Sequence, residues 1–185
     1  MDFTKIEAEE APQALRLCRW ITRELHPKSV VDFGCATGFY LRPFGRLIDC
    51  LGIENDFEAV AVAKKHCSAS IAIMKDDLSK PLILGAKYDL GICLEVAEHM
   101  TPDGAVQLVR NIAKHVRTVV FSAATVGQGG EGHINCRYKE DWITMLHAHG
   151  LYYDAAETDS MISYMKHGYH MGWFINNAFV ATGVY

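Results

Sequence analysis

The stretch VVDFGCATGFY, residues 30–40, decides the fold of this chain. Apolar residues typical of a buried strand run as far as Phe33 and then give way to the small residues GCATG. A turn so poor in side chains is typical of a place where another group approaches the backbone closely. A strand-to-helix turn also takes small residues for its own reasons, so the turn alone does not identify a ligand.

Short apolar segments alternate with amphipathic ones around this turn. We predict strands at residues 29–33, 49–54, 70–74, 88–93, 118–122, 151–157 and 178–185. We predict helices at residues 8–25, 40–47, 57–66, 103–114 and 139–149. Apolar strands separated by helices are typical of a parallel sheet covered on both faces. The sequence therefore predicts a single α/β domain over residues 1–185, a doubly wound, Rossmann-like sheet of about seven strands.

The composition of the chain argues against several classes of protein. The 185 residues carry a formal net charge of −4, which argues against a general nucleic-acid or anionic-membrane binder. No stretch offers about 18 consecutive apolar residues, so we expect no membrane span. The start MDFTKIEAEE lacks the layout of a signal peptide, and the six cysteines form no C-x-x-C pair. We expect a cytoplasmic protein with free thiols.

Acidic residues follow the next two predicted strands, at the edge where a doubly wound sheet binds ligands. Glu54 ends the second strand, 20 positions after Gly34, and a carboxylate there can accept hydrogen bonds from both hydroxyls of a ribose. Asp76 and Asp77 follow the third strand, where they either receive an exocyclic amine or cap the next turn. An NAD-linked oxidoreductase would share Glu54, but the turn lacks the third glycine of that fingerprint.

The segments VVDFGCATG, DDLSKPL and YDLGICLEVAEHM, with Glu54 between the first two, resemble class I S-adenosylmethionine-dependent methyltransferases over residues 28–150. The resemblance implies strand order 3-2-1-4-5-7-6, with the seventh strand antiparallel, and S-adenosylmethionine as the cofactor. It also implies a role for each loop in binding the cofactor. The first loop would contact the methionine part, and its residues are Asp32, Gly34, Ala36 and Gly38; in that family a glycine is more common at the position of Ala36. Glu54 would bind the ribose, Asp77 and Leu78 would bind the adenine, and the Leu94 carbonyl would bind the methionine ammonium.

The segment LEVAEH places Glu95, Glu98 and His99 on one face if it is helical, and His133 follows in a glycine-rich loop. This pattern resembles the E-x-x-E-H…H set of small-RNA 2′-O-methyltransferases and the E-x-x-E-H of ubiquinone-pathway O-methyltransferases. The resemblance implies a divalent metal held by these four residues, with His99 and His133 at the reacting centre. Nitrogen and oxygen ligands would suit Zn, Mn or Co. Two alternatives remain. Glu95, Glu98 and His99 could form the solvent-exposed start of a helix, or His133 could act as a general base without a metal.

These observations predict methyl transfer from S-adenosylmethionine to an acceptor hydroxyl on a small molecule or sugar, with an RNA end as a second choice. The absence of an N/D-P-P-Y/F motif after the fourth strand favours oxygen over nitrogen. A non-catalytic, regulatory S-adenosylmethionine-binding module is the alternative from another class. The oligomeric state is not predicted. The aromatic segment at residues 159–177, with Tyr164, Tyr169, Trp173 and Phe174, forms either a substrate lid or part of the core.

Overall fold

The computed structural model describes residues 3–45, 48–167 and 172–184. The strands are β1 (Ser29–Phe33), β2 (Asp49–Glu54), β3 (Ile71–Lys75), β4 (Tyr88–Leu94), β5 (Val116–Ser122), β6 (Leu151–Tyr153) and β7 (Phe179–Gly183). The α-helices are α1 (Phe3–Trp20), α2 (Phe57–His66), α3 (Pro102–His115), α4 (Lys139–His147), α5 (Ala155–Lys166) and α6 (Gly172–Asn177). A π-helical turn, Ile21–Leu25, continues α1.

All seven strands form one sheet in the order β3-β2-β1-β4-β5-β7-β6. The five strands β1 to β5 are parallel, and β7 runs antiparallel to both of its neighbours. The predicted order and the antiparallel seventh strand are therefore confirmed. Strand order reverses between β1 and β4, and in a doubly wound sheet the ligand crevice opens at such a point, beyond the carboxyl ends of the strands.

The sheet is buried on both faces, as the continuous apolar strands predicted. Val30 and Val31 are adjacent and both fully buried, yet they belong to different core clusters, because successive strand residues point to opposite faces. The Val30 cluster includes side chains of α1, α5 and α6, and the Val31 cluster includes side chains of α3 and α4. The two layers of helices hold the strand ends in a fixed register, which positions the loops that follow them.

Side-chain caps explain why the starts of two helices, α2 and α3, agree closely with the sequence-based prediction. The side chain of Asp56 accepts a hydrogen bond from the Ala59 amide (2.8 Å) and begins α2. The side chain of Thr101 accepts one from the Gly104 amide (3.2 Å) and begins α3. Such N-caps satisfy backbone donors that have no partner within the helix.

Two predicted elements differ from the structure. In place of a helix at residues 40–47, the described part contains one 3₁₀ turn, Arg42–Phe44, because the chain turns at Gly45, where φ is +65°. The strand predicted at 151–157 ends at Tyr153, because the side chain of Asp154 accepts a hydrogen bond from the Glu157 amide (3.0 Å) and begins α5.

Candidate functional site

A cleft of about 710 Å³ opens at the carboxyl ends of the parallel strands. The loops after β1, β2, β3 and β4 line it, together with α1 and the glycine-rich loop after β5. All the residues predicted to bind the cofactor line this cleft except Gly38. The cleft therefore joins the GCATG turn after β1 to the LEVAEH segment after β4.

The turn after β1 has a backbone that requires small residues. Gly34 has a φ of +84°, and a Cβ there would lie 2.5 Å from Val96 Cγ2. The amides of Gly34 and Cys35 both donate to the Ile53 carbonyl, at 2.9 and 3.0 Å, which fixes the turn against β2. Ala36 has a φ of +47°, a conformation that L residues other than glycine rarely adopt. The backbone of this turn is thus held open toward the cleft.

Gly38 has a packing role in the structure. Its φ is +77°, and a Cβ there would lie 2.6 Å from Cys67 Sγ, just beyond α2. Its carbonyl accepts hydrogen bonds from the amides of Leu41 and Arg42, at 3.0 and 3.2 Å. Gly38 therefore lies behind the turn rather than in the cleft, and it shapes the loop on which the lining residues sit.

Glu54, at the tip of β2, is oriented by three backbone amides. One carboxylate oxygen accepts from Ala36 (3.0 Å), and the other accepts from Asn55 (2.7 Å) and Asp56 (2.8 Å). Hydrogen bonds to an ionised acceptor are stronger than neutral ones. The carboxylate is thereby fixed at the cleft wall with lone pairs left for further donors.

Asp77 and Leu78 form the wall after β3. Hydrogen bonds from the Ser79 hydroxyl (2.6 Å) and amide (3.0 Å) hold the pKa of Asp77 below its usual value, and Lys80 lies 3.2 Å from its other oxygen. The Leu78 side chain beside it is buried. A carboxylate next to an apolar side chain suits a flat ring with an exocyclic amine.

Asp32 is an unpaired carboxyl group at the base of the cleft. It is 3% exposed, and its Oδ2 has no hydrogen-bond partner among the described residues. Burial, together with the nearby Glu54 carboxylate, raises the pKa of Asp32 to about 8. A buried oxygen without a partner is costly, so this position favours a bound cation.

The segment after β4 does not form the α-helix on which the shared face of Glu95, Glu98 and His99 depended. It forms one 3₁₀ turn, Ala97–His99, and Glu95 has a φ of +53°. Glu95 and His99 line the cleft, whereas Glu98 is fully buried below it. Glu98 still lies near His99 and interacts with Glu95, but the three residues do not share an α-helical face.

Glu98 anchors the glycine-rich loop from beneath. Its Oε1 accepts from the Ala124 amide (3.1 Å), and its backbone carbonyl accepts from Ile134 (2.9 Å) and Asn135 (3.0 Å). Its Oε2 has no hydrogen-bond partner among the described residues. Burial and the neighbouring Glu95 carboxylate raise the pKa of Glu98 to about 8.

His99 and His133 face each other, with ring centroids 4.9 Å apart and an angle of 76° between the rings. Glycines make room for both rings, because a Cβ at Gly130 would overlap the His133 imidazole and one at Gly132 would lie 3.3 Å from His99 Nδ1. Burial and the adjacent His133 lower the pKa of His99 below its usual value. His99 is therefore largely neutral near pH 7 and able to accept a proton.

The structure brings together three of the four residues predicted to bind a metal. One ligand atom each from Glu98, His99 and His133 lies within 4.8 Å of the others. Glu95 does not belong to that group. Its Oε2 accepts a hydrogen bond from the Gln128 side chain (3.1 Å), and its carboxyl group interacts with that of Glu98. Two imidazole nitrogens and one carboxylate oxygen form a donor set that zinc and manganese accept.

The sequence analysis missed the contribution of α1 to the cleft. Glu7 accepts hydrogen bonds from the Thr37 hydroxyl and the Arg42 guanidinium, which hold the helix over the loop after β1. Glu9 and Glu10 then line the cleft. Burial raises the pKa of Glu10 to about 7, and Glu95 adds to this although a hydrogen bond from Tyr40 opposes it. Nothing in the local sequence of α1 signals this placement, since it depends on tertiary contacts.

The described parts of the aromatic segment at 159–177 belong mainly to α5 and α6, and their side chains divide between core and cleft. Phe174 is fully buried in the core, and Trp173 beside it lines the cleft. The Tyr164 ring lies under the Arg16 guanidinium, 4.3 Å from the ring centroid. Tyr169 lies outside the described residues. The segment is therefore neither wholly a lid nor wholly core.

A sheet in this order, with a glycine turn after β1 and an acid at the tip of β2, defines a Rossmann-like methyltransferase fold. Residues 30–118 match the family model of a methyltransferase domain. Residues 30–118 therefore carry a methyltransferase domain, and the chain has the fold of the class I S-adenosylmethionine-dependent methyltransferases. No curated protein matches the sequence. Among the described residues, no helix has both the length and the apolar character needed to cross a membrane.

Solved structures with the same fold cover almost the whole chain. Magnesium protoporphyrin IX methyltransferase from Synechocystis, solved with S-adenosylmethionine bound, is 20% identical with a TM-score of 0.69, covering 97% of this chain and 82% of that one. A sugar N-methyltransferase from Streptoalloteichus is 18% identical with a TM-score of 0.69, covering 99% and 88%. An amino pentose methyltransferase from Micromonospora echinaspora is 16% identical with a TM-score of 0.67, covering 95% and 91%. At these identities the likeness shows the fold.

Proposed function

We propose that this methyltransferase transfers the methyl group of S-adenosylmethionine to a hydroxyl of a small molecule or sugar, with His99 and His133 beside the reacting atoms. The observation that carries this proposal is the histidine pair, which lies at the tip of β4 on the wall of the cleft. The domain that performs this reaction spans residues 1–185, and its six free cysteines are consistent with a cytoplasmic setting.

In this proposal the cofactor lies across the tips of β1, β2, β3 and β4. Glu54 accepts hydrogen bonds from the ribose hydroxyls, and Asp77 accepts one from the adenine amine, with Leu78 packed beside the ring. Asp32, whose buried Oδ2 is unpaired, receives the methionine ammonium together with the Leu94 carbonyl. The open backbone at Gly34 and Ala36, supported by Gly38, allows the methionine part to approach closely.

The protein has little covalent chemistry to perform, because the sulfonium of the cofactor supplies an activated methyl group. The cleft aligns the acceptor oxygen with that methyl, and such positioning can contribute about 7–11 kcal/mol. The neutral imidazole of His99, or alternatively the His133 side chain, accepts the hydroxyl proton as the new O–C bond forms. The S–C bond breaks with its electron pair passing to sulfur, which leaves S-adenosylhomocysteine.

A divalent cation held by Glu98, His99 and His133 is a version of the same proposal. What supports it is that one oxygen of the buried Glu98 carboxyl group and one nitrogen of each imidazole lie within 4.8 Å of one another, and that Glu98 Oε2 has no hydrogen-bond partner among the described residues. A cation there would lower the pKa of an acceptor hydroxyl. We expect EDTA to abolish turnover, and added Mn²⁺ or Zn²⁺ to restore it, if the cation is required. Turnover that withstands EDTA would leave a histidine as the base.

An amine nitrogen is the second candidate acceptor. Two of the proteins with this fold are named for sugar N-methylation and amino pentose methylation. An RNA end is less favoured, because no lysine or arginine lines the described part of the cleft and phosphate contacts depend on such side chains. Mass spectrometry of the methylated product decides between oxygen and nitrogen.

Two experiments test the proposal. S-adenosylhomocysteine should raise the melting temperature by mass action, whereas NADH should not. Methyl-labelled S-adenosylmethionine, incubated with the protein and a small-molecule cell extract, should yield a labelled product. Binding of S-adenosylhomocysteine with no product from any extract would instead support the regulatory module, and binding of NADH alone would contradict both.

A further inference from the structure

Gln128 is the one residue that is not a glycine in the stretch GQGG, residues 127–130, of the loop after β5. Glycines restrict the backbone little, so this loop needs side-chain contacts to hold one conformation. The Gln128 side chain is half-buried, and the residue lines the cleft together with His133. Its hydrogen bonds therefore bear on where the loop places that histidine.

The side-chain amide of Gln128 makes hydrogen bonds at both of its ends. Its Oε1 accepts from the Asn177 side chain at the end of α6 (2.9 Å) and from the Thr125 amide (3.4 Å). Its Nε2 donates to Glu95 Oε2, just beyond β4 (3.1 Å). Asn177 is buried, so this partner is fixed by the core. Among the natural side chains of this length, only a primary amide can accept at one end and donate at the other.

The main chain of Gln128 contacts the His133 ring. The Gln128 carbonyl oxygen lies 3.3 Å from His133 Nδ1. Because a carbonyl oxygen can only accept, this hydrogen bond requires the imidazole proton to be on Nδ1. The lone pair of the neutral ring is then on Nε2, which becomes the nitrogen that accepts a proton. The Cys136 sulfur lies 3.8 Å from the same Nδ1, and sulfur is a weak hydrogen-bond acceptor compared with a carbonyl.

We infer that Gln128 is a positioning residue: its side-chain amide fixes the loop so that its own carbonyl holds the Nδ1 proton of His133 and leaves Nε2 as the basic atom. The use of that atom in catalysis rests on the proposed function, in which His133 is one of the two candidate bases. The proton of the acceptor hydroxyl passes to His133 Nε2 as the methyl group is transferred, and the resulting imidazolium returns it to water.

The position of the imidazole proton can be measured without knowing the acceptor. Long-range ¹H–¹⁵N correlation spectra, recorded at about pH 8.5, well above the usual pKa of an imidazole, distinguish a proton on Nδ1 from one on Nε2. The spectrum of His133→Ala identifies the signals of His133. In the wild type we expect the proton on Nδ1. In Gln128→Ala we expect the Nε2-protonated form, which free imidazole side chains favour, to become the major one.

Two control variants lie in the same loop. Val126→Ala shortens an exposed side chain that does not line the cleft, and Cys136→Ala removes the other group near His133 Nδ1. Both should leave the proton on Nδ1, and melting temperatures establish that all variants are folded. A wild-type His133 protonated on Nε2, or an Nδ1 proton that survives in Gln128→Ala, would overturn the inference. Loss of the Nδ1 proton in either control would also contradict it, because the role would then not belong to Gln128.

Methyl transfer from labelled S-adenosylmethionine to a cell extract tests the catalytic part of the inference. Gln128→Ala should lower the rate at saturating cofactor about tenfold or more, since a misplaced base loses its reactive geometry. The KM for S-adenosylmethionine should stay within about twofold, as expected for a residue that does not bind the cofactor. An unchanged rate, or a loss confined to KM, would overturn the inference. A wild type with the proton on Nδ1 that binds S-adenosylhomocysteine but labels no product would refute the proposed function and leave the tautomer assignment standing.

Discussion

Replacement of Glu54 by alanine should remove most of the affinity for the cofactor without unfolding the protein. The Glu54 carboxylate is held by the amides of Ala36, Asn55 and Asp56, so its direction toward the cleft is fixed before any ligand binds. In the proposed complex it accepts hydrogen bonds from two ribose hydroxyls. The substitution therefore removes two charge-assisted hydrogen bonds and the acceptor that orients the Ala36 amide.

The magnitude follows from those bonds. Each hydrogen bond to a charged group contributes about 1.5–3 kcal/mol, so losing two costs about 3–6 kcal/mol. The Kd of S-adenosylhomocysteine should rise roughly 10²- to 10⁴-fold, because each 1.4 kcal/mol is tenfold. The lower end is expected, since water reaches the vacated wall and satisfies part of the ribose. Isothermal titration calorimetry on wild type and Glu54→Ala measures this directly.

Asp56→Ala supplies the control, because Asp56 lies two residues away and caps α2 through the Ala59 amide. Its loss should cost about 1 kcal/mol of stability and leave the affinity for S-adenosylhomocysteine unchanged. If Glu54→Ala binds S-adenosylhomocysteine within threefold of wild type, roughly 0.7 kcal/mol, the placement of the ribose is wrong. An equal loss in Asp56→Ala would show that the effect is structural.

Three further outcomes are expected. His99→Ala and His133→Ala should each lower turnover about 10²-fold or more with little change in S-adenosylhomocysteine affinity, as measured by labelled-methyl assay and calorimetry. The free energy of unfolding should fall as the pH rises from about 4 through about 8. The reason is that in this range the folded protein holds a proton on Asp32 that the unfolded chain has lost. Thermal melts of Asp32→Asn should therefore show a weaker dependence of the melting temperature on pH. Gly34→Ala should lower the melting temperature, because a Cβ there would lie 2.5 Å from Val96 and φ is +84°.

The elements that could be predicted from the sequence are those with local causes. The ends of β1, β2 and α2 agree with prediction because apolar runs and the Asp56 cap fix them within a few residues. The predicted helix at 40–47 was wrong, since apolar spacing there reflects burial of side chains such as Leu41 and Phe44 against the core rather than helical backbone. Burial of this kind depends on elements distant in the sequence.

The same division applies to the candidate site. The wall formed by Asp32, Glu54 and Asp77 could be predicted because these residues lie at or just beyond the carboxyl ends of β1, β2 and β3, and parallel strands bring those ends to one edge. The wall that α1 contributes could not be predicted, because Glu9 and Glu10 reach the cleft only through tertiary contacts. His99 was predicted from an α-helical face, whereas the described segment forms a 3₁₀ turn; His133 was predicted from its place in the loop after β5.

The neighbouring carboxyl groups of Glu95 and Glu98 bear on whether a cation is needed beside the histidine pair. Their side chains lie within hydrogen-bonding reach of each other, and burial raises the pKa of both; a proton or another positive charge between or beside them relieves their repulsion. Glu98 is adjacent to the histidine pair, and Glu95 also raises the pKa of Glu10. A proton shared by Glu95 and Glu98 would relieve their repulsion without a metal. In the proposed reaction a histidine would then act as the base, and turnover would withstand EDTA.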